Sequence, residues 1–228
     1  MKNVFSRYSV DLTEEKLKKF EFYGEFLLAK NKEFNLTAAK DVGELWIKHF
    51  LDSCLGEKFF VDNARCLDVG AGGGFPSVPL KIIRDDLDFT LLEATGKKCE
   101  FLREVSKGLG FEKVNVVCAR AEDAAKSDMR ESFDAVTARA VARLNTLCEY
   151  CLPFVKVGGR FIAYKGRADE EIEEAKNAIG VLGGQVETVE KFSLPDNIGE
   201  REIIVIKKVK QTPAAYPRGN GKERKKPL

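Results

Sequence analysis

The residues best suited to chemistry gather in one short run, Cys66-Leu67-Asp68-Val69-Gly70-Ala71-Gly72-Gly73-Gly74-Phe75. An apolar segment leads directly into glycines, which lets a ligand approach the backbone where side chains would block it. The spacing separates one cofactor class from another. A dinucleotide turn needs Gly-x-Gly-x-x-Gly. Counted from Gly70 the third position is Phe75, and counted from Gly72 it is Ser77. What stands instead is Asp-x-Gly-x-Gly-x-Gly, with Asp68 two residues before Gly70. That form occurs in methyltransferases that use S-adenosylmethionine, whose amino acid group carries an ammonium and which has no pyrophosphate. Glu93 ends the next apolar run, where an acid can accept hydrogen bonds from ribose hydroxyls. After the third run, the pair Ala121-Glu122 can frame an adenine ring. Arg139 follows the fourth, where it can position the cofactor or a phosphate.

These residues need a scaffold, and the rest of the chain supplies its pattern. From Arg65 onward, short apolar runs alternate with longer amphipathic segments, as in a parallel sheet with crossover helices. Strands are predicted at about 65–69, 89–93, 114–118, 133–138, 160–164, 186–192 and 202–209. Helical spacing links Phe101, Leu102, Val105 and Leu109, and again Ile172, Ala175, Ala178, Ile179 and Leu182. The last two strands leave no room for a helix between them, so a hairpin through Leu194–Gly199 is expected. The fold class is then α/β: a Rossmann-like, seven-stranded, mostly parallel sheet with one antiparallel strand. Ahead of it, Thr13 can cap a helix that opens with Glu14 and Glu15 and ends near Asn31. A second helical stretch, about Glu44 to Cys54, carries Trp46, His49, Phe50, Asp52 and Ser53. The expected organisation is an N-terminal helical extension over 1–60, a methyltransferase domain over 61–210 and a basic tail over 211–228.

Other chemistries lack their residues. Cys148-Glu149-Tyr150-Cys151 has the spacing of half a zinc site, but no second pair or nearby histidine completes four ligands, so it reads as a helix packing face and no metal is expected. His49, the sole histidine, lies on an apolar helix and reads first as a core or capping residue. Cytosine C5 methylation needs a cysteine nucleophile in a Pro-Cys context, which is absent. Adenine amino methylation uses an Asn/Asp-Pro-Pro-aromatic turn where this chain has Thr137-Ala138-Arg139-Ala140. Ribose 2′-hydroxyl methylation is excluded less firmly.

Composition narrows the setting. With 44% apolar and 32% charged residues there is enough for a core, so the charge reads as a solvated surface. The longest uncharged stretch, Val69 to Leu80, falls short of the ~20 apolar residues a membrane span requires. No apolar block follows Lys2 and Arg7, so no secretory signal is read and a cytoplasmic location is expected. The six cysteines are scattered through apolar segments, as suits reduced, mostly buried thiols. From Lys207 to Leu228, eight Lys/Arg face one Glu, net +7, while the remaining 30 basic and 35 acidic residues leave −5. An acidic body with a basic tail suggests a polyanionic partner; a solubilising, disordered terminus is the plainer reading. No apolar surplus demands a second subunit, so a monomer is expected.

Taken end to end, the chain resembles the family of ribosomal small-subunit RNA guanine-N7 methyltransferases, once called glucose-inhibited division protein B. The likeness rests on Asn35-Leu36-Thr37-Ala38, Lys48-His49-Phe50-Leu51-Asp52-Ser53, Asp68 to Leu80 with Phe75-Pro76, and Leu91-Leu92-Glu93. It continues through Lys97-Lys98 with Phe101-Leu102, Arg139-Ala140, Lys165-Gly166, Thr212-Pro213 and Tyr216-Pro217-Arg218. The resemblance implies S-adenosylmethionine as cofactor, with contacts at Gly70, Phe75, Glu93, Ala94, Thr95, Ala121, Glu122 and Arg139. It implies a guanine N7 in 16S ribosomal RNA as target, met in a small-subunit particle. N7 bears a lone pair and no proton, so no general base is required, and Arg139 is the one candidate for a catalytic role. Asn35 and Lys165 are candidates to contact the target nucleotide, and Arg218 with the tail to contact the RNA backbone. Two departures stand out: Ser77 replaces the usual glycine, and Gly219-Asn220-Gly221-Lys222 replaces a stretch that usually holds another proline. A small-molecule methyltransferase and an RNA-binding assembly module with a vestigial pocket stay open as alternatives; a nicotinamide oxidoreductase fits least.

Overall fold

A computed structural model of the chain describes residues 1–195 and 198–228. The chain opens with α1 (Lys2–Ser6) and α2 (Glu14–Phe34), then α3 (Val42–Leu45), a π-helical turn (Trp46–Leu51) and α4 (Asp52–Cys54) in direct succession. The alternating part follows as β1 (Arg65–Val69), α5 (Ser77–Ile83), β2 (Asp88–Glu93), α6 (Gly96–Gly108), β3 (Val114–Cys118), α7 (Ala121–Ala124), β4 (Phe133–Arg139) and α8 (Leu144–Cys151). It closes with β5 (Val155–Lys165), α9 (Asp169–Val181), β6 (Gly184–Leu194), β7 (Gly199–Lys208) and α10 (Lys222–Lys225).

The strands form one seven-stranded sheet in the order β3-β2-β1-β4-β5-β7-β6. β1 to β5 pair in parallel, while β7 runs antiparallel to both β5 and β6. The seven strands, mostly parallel with a single one reversed, are those read from the sequence; their order comes from the structure. β5, β6 and β7 are longer than the pattern indicated, taking in 155–159 and 165, 184–185 and 193–194, and 199–201, because polar residues and glycines there interrupt the apolar runs and gain their place by pairing, as Gln185 does with Lys207 and Ser193 with Glu200. Of the turn expected at Leu194–Gly199, Asp196 and Asn197 lie outside the described residues.

Alternation along the strands divides the core in two. Cys66, Phe89, Leu91 and Ile162 face α2, α5 and α6, where they join Phe20, Tyr23, Phe50, Leu80 and Phe101. Leu67, Leu92, Val136 and Phe161 face α8 and α9, with Leu147, Cys148, Cys151 and Ala175. Cys148 and Cys151 thus belong to a packing face, the reading their sequence context favoured over half a zinc site. Five of the cysteines are buried and Cys118 is exposed.

The N-terminal helices share the first of these cores with β1 and β2. Thr13 caps α2 by accepting from Lys16 N–H at 3.3 Å. The helix runs beyond Asn31 to Phe34 because Asn35, at φ 50°, takes the left-handed C-cap that asparagine tolerates. Asn31 instead folds the exit loop: its Oδ1 accepts from the amides of Leu36 and Thr37, and its Nδ2 donates to the Thr37 carbonyl. Tyr23 Oη donates to the Gly73 carbonyl at 2.6 Å, fastening α2 over the glycine turn.

That turn tolerates no side chain at Gly74. Its φ is +94°, and a Cβ would stand 2.6 Å from Val78 Cγ2 and 3.0 Å from Tyr23 Oη. Gly74→Ala is expected to cost about 2–4 kcal/mol from left-handed strain and overpacking, lowering the melting temperature by roughly 4–16 °C at ~2–4 °C per kcal/mol. Calorimetry on the variant checks this; a melting temperature within 1–2 °C of the parent, roughly the effect of an inert surface substitution, would contradict it.

The basic C-terminal stretch is folded onto the body. Arg130 donates to the carbonyls of Tyr216 and Thr212, each at 2.8 Å. Lys208, fully buried, donates to the Leu152 carbonyl and to Thr212 Oγ1, each at 2.6 Å.

Candidate cofactor and substrate site

The carboxyl ends of β1 to β4 surround a cavity of about 810 Å³, within the range of small-molecule sites. Its floor is the glycine turn. The amides of Gly70 and Ala71 donate to the Leu92 carbonyl at 2.8 and 3.2 Å, tying the end of β1 to that of β2. Gly70, at φ +75°, sits against Val141, whose Cγ2 would be 2.8 Å from an added Cβ. Gly72, Phe75, Glu93, Ala94, Ala121, Glu122 and Arg139 also line the cavity.

Glu93 is 8% exposed. Its Oε2 accepts from Gly72 N–H at 3.0 Å and its Oε1 from Thr95 N–H at 2.8 Å. Two backbone donors fix the carboxylate while leaving each oxygen with a further lone pair for a ligand hydroxyl. Thr95 supplies this amide; its side chain is exposed.

Asp68 lies fully buried beneath the turn. Its Oδ2 accepts weakly from Ser77 N–H at 3.4 Å, and among the described residues Oδ1 has no partner. Burial pushes its pKa up to about 7, with Ser77 pulling the other way. The donor to Asp68 is the backbone amide of residue 77, while the Ser77 hydroxyl donates to the Gly74 carbonyl at 3.4 Å. An unmatched carboxylate oxygen under the floor, with a fixed acid on the wall, fits an adenosine ligand that carries positive charge.

Arg139 organises the opposite wall. Its guanidinium donates to Asp52 Oδ2 at 2.6 Å and to His49 Nδ1, and stands 4.9 Å over the Phe75 ring. Asp52, 7% exposed at its side chain, also pairs with Arg201 at 3.3 Å. Burial raises the Asp52 pKa, and the two guanidiniums oppose this. The His49 ring stacks on Phe75 at 4.6 Å, and its Nε2 lies 3.0 Å from Thr37 Oγ1. Burial and then Arg139 lower the His49 pKa to about 3, so the ring is neutral. A neutral ring accepting from Arg139 at Nδ1 carries its proton on Nε2, directed at Thr37. His49 thus serves as a partner of Arg139, a role that a lone histidine on an apolar helix did not disclose; Asp52 at i+3 is the only local signal.

The residues singled out for RNA stand elsewhere. Asn35 is exposed at the helix end, and its neighbours Leu36 to Ala38 reach the cavity. Lys165, expected at the target nucleotide, is instead turned inward: it pairs with Glu171 at 2.7 Å and donates to the Ala142 carbonyl at 2.9 Å, anchoring the loop after Arg139. Arg218, expected on the RNA backbone, is likewise engaged inside. Its guanidinium and amide make four bonds of 2.6–3.1 Å to Glu149, which is 1% exposed.

A Rossmann-like sheet with an acidic glycine turn and a ribose-type acid on the second strand defines a class I methyltransferase fold. Comparison with solved structures agrees on the fold. A predicted O-methyltransferase from Agrobacterium tumefaciens superposes with a TM-score of 0.56 at 19% identity, over 71% of this chain and 82% of that one. The [4+2]-cyclase SpnF shares the fold as well, with a TM-score of 0.55 at 16% identity over 70% and 82% of the two chains. Fold alone therefore does not define the reaction. Sequence is more specific: residues 16–204 match the family described as rRNA small subunit methyltransferase G. The Ribosomal RNA small subunit methyltransferase G of Lactobacillus johnsonii is 47% identical over 98% of this chain and 96% of its own length. The chain belongs to the rRNA small subunit methyltransferase G family.

Proposed function

We propose that this protein transfers a methyl group from S-adenosylmethionine to N7 of a guanine in the 16S RNA of the small ribosomal subunit. Family membership supports the substrate class, and the cavity supports the cofactor. The observation that carries the N7 assignment is the wall around Arg139. Both nitrogens of its one imidazole are engaged, with Arg139 and with Thr37, so His49 is not free to remove a proton. N7 has no proton to remove. A site whose one imidazole is committed to holding and orienting suits it.

In this reading Glu93 receives the ribose hydroxyls, Gly70 and Gly72 let the amino acid part approach the turn, Ala94 and Thr95 border the adenosyl part beyond Glu93, and Ala121 and Glu122 flank the adenine. The bound cofactor supplies an electrophilic methyl on a sulfonium. Arg139 orients Phe75 and the cofactor edge where the guanine arrives. The helical extension 1–60 covers the cofactor, 61–210 holds it, and 211–228 adds positive charge. No helix among the described residues is long and apolar enough to cross a membrane, and we assign the protein to the cytoplasm, acting as a monomer on a small-subunit particle.

The direct test is label transfer from methyl-tritiated S-adenosylmethionine to small subunits lacking the modification. About one methyl per 16S RNA is expected; label on small molecules but on neither subunits nor their RNA would overturn the assignment.

A proton linkage follows from Asp68. With a pKa of about 7 in the free protein, its carboxyl is about half protonated at pH 7, and a cationic ligand above it favours the ionised form. Binding at pH 7 is expected to release up to about half a proton, read as a buffer-dependent heat in calorimetry and abolished by Asp68→Asn. The same raised pKa makes the neutral carboxyl a stabilising feature below about pH 4 that is lost as pH rises through 7. A heat of binding identical in phosphate and Tris would contradict it.

A further inference from the structure

The C-terminal segment reaches the same cavity. After Pro217 the chain turns through Gly219, Asn220 and Gly221, all at positive φ, into α10. Two buried carboxylates hold it there. Glu149 on α8 receives Arg218, and Glu223 accepts the Gly219 amide while its own carbonyl accepts from Thr146 Oγ1 at 3.0 Å. Both acids are at most 1% exposed. Glu149 is matched by the Arg218 guanidinium and amide, whereas Glu223 has the Gly219 amide on Oε1 and, among the described residues, no partner on Oε2; the Glu149–Arg218 pair therefore fixes the position of the segment. A tail acting only through diffuse attraction to phosphates needs neither acid.

In that position Asn220, Gly221 and Arg224 line the cavity together with Glu122 and Tyr150. The Arg224 guanidinium stands 6.0 Å over the Tyr150 ring. Burial first raises the pKa of the Tyr150 hydroxyl, Arg224 lowers it, and Glu223 and then Glu122 raise it. α8, which carries Tyr150, packs on both α7 and α10, so Arg224 lines the Glu122 end of the cavity, where the reading above places the adenine, with β2 and β1 between β3 and the Arg139 wall on β4.

We propose that the segment Pro217–Lys225 is a wall of the cofactor site, with Arg224 and Asn220 contacting the adenosyl end. This inference rests on the assignment of the cavity to S-adenosylmethionine. It makes the basic tail part of cofactor recognition, with the exposed Lys222, Lys225 and Lys226 left on its outer side.

The test uses S-adenosylhomocysteine titrated calorimetrically into the full chain, Arg224→Ala, a chain ending at Arg218, and Glu93→Ala. Arg224→Ala, an exposed position, is expected to weaken binding about tenfold, the loss of one charged contact, with an unchanged melting temperature. The shortened chain should lose at least as much. Ligand should also slow tryptic cleavage after Arg224 and Lys225 in the full chain. If Glu93→Ala weakens binding but Arg224→Ala and the shortened chain bind like the parent, the wall is refuted and the cavity assignment survives. If Glu93→Ala also binds like the parent, the cavity assignment itself fails and takes the wall with it. Should the shortened chain melt without cooperativity, Arg224→Ala and the cleavage rates decide.

Discussion

Glu93→Ala is expected to weaken S-adenosylmethionine binding about a hundredfold and to remove most methyl transfer, while affinity for RNA is retained. The carboxylate is held by Gly72 and Thr95 amides at 3.0 and 2.8 Å, so its orientation is set before a ligand arrives. Two hydroxyl-to-carboxylate bonds at about 1.5 kcal/mol each give roughly 3 kcal/mol, which is about a hundredfold in affinity. Truncation also strips two amides of their acceptor, one in the glycine turn itself, which adds to the loss. Glu93→Gln should fall between, because one acceptor oxygen remains. Titration calorimetry with the cofactor and gel-shift with 16S RNA separate the two affinities, and equal cofactor affinity in parent and variant would refute the assignment.

Arg139→Ala should produce the second large effect, on stability and turnover together. The Arg139 side chain is 12% exposed and its partner Asp52 is 7% exposed. Removing the guanidinium leaves Asp52 with Arg201 alone, at 3.3 Å, and leaves His49 Nδ1 without a donor. Breaking a buried pair by deleting one member costs about 3–5 kcal/mol, which corresponds to roughly 6–20 °C in melting temperature. Arg139→Lys keeps the charge but not the fork that spans Asp52 and His49, so it should recover stability in part and turnover less. A double variant with Asp52→Asn should restore stability beyond Arg139→Ala while turnover stays low. That split distinguishes positioning of the site from a purely structural ion pair; full activity in the double variant would contradict it.

The central strands were legible because a parallel strand covered on both faces reads as an unbroken apolar run, as in Cys66-Leu67 and Leu91-Leu92. β5 to β7 extend further because their added residues, including Gln185, Ser193, Glu200 and Arg201, are polar and gain their place from backbone pairing across the sheet. The glycine turn and Glu93 were equally readable, since their chemistry depends on local spacing at strand ends. The Arg139 wall was not. Arg139 lies 87 positions from Asp52 and 90 from His49, and only the packing of the N-terminal helices on the sheet brings them together. Arg218 shows the converse. A basic residue in a basic tail looks like a phosphate ligand until the fold presents it with Glu149, an acid hidden in the apolar helix between Cys148 and Cys151.

The central claim is methylation at N7, and borohydride reduction followed by aniline tests it most directly. That treatment cleaves RNA at 7-methylguanosine and leaves other methylated guanines intact. Applied to 16S RNA from small subunits incubated with the protein and S-adenosylmethionine, it should give one discrete cut, absent without the cofactor and in Glu93→Ala. Methyl label incorporated into the RNA without any cut would contradict the account, because the methyl would then sit on an atom other than guanine N7.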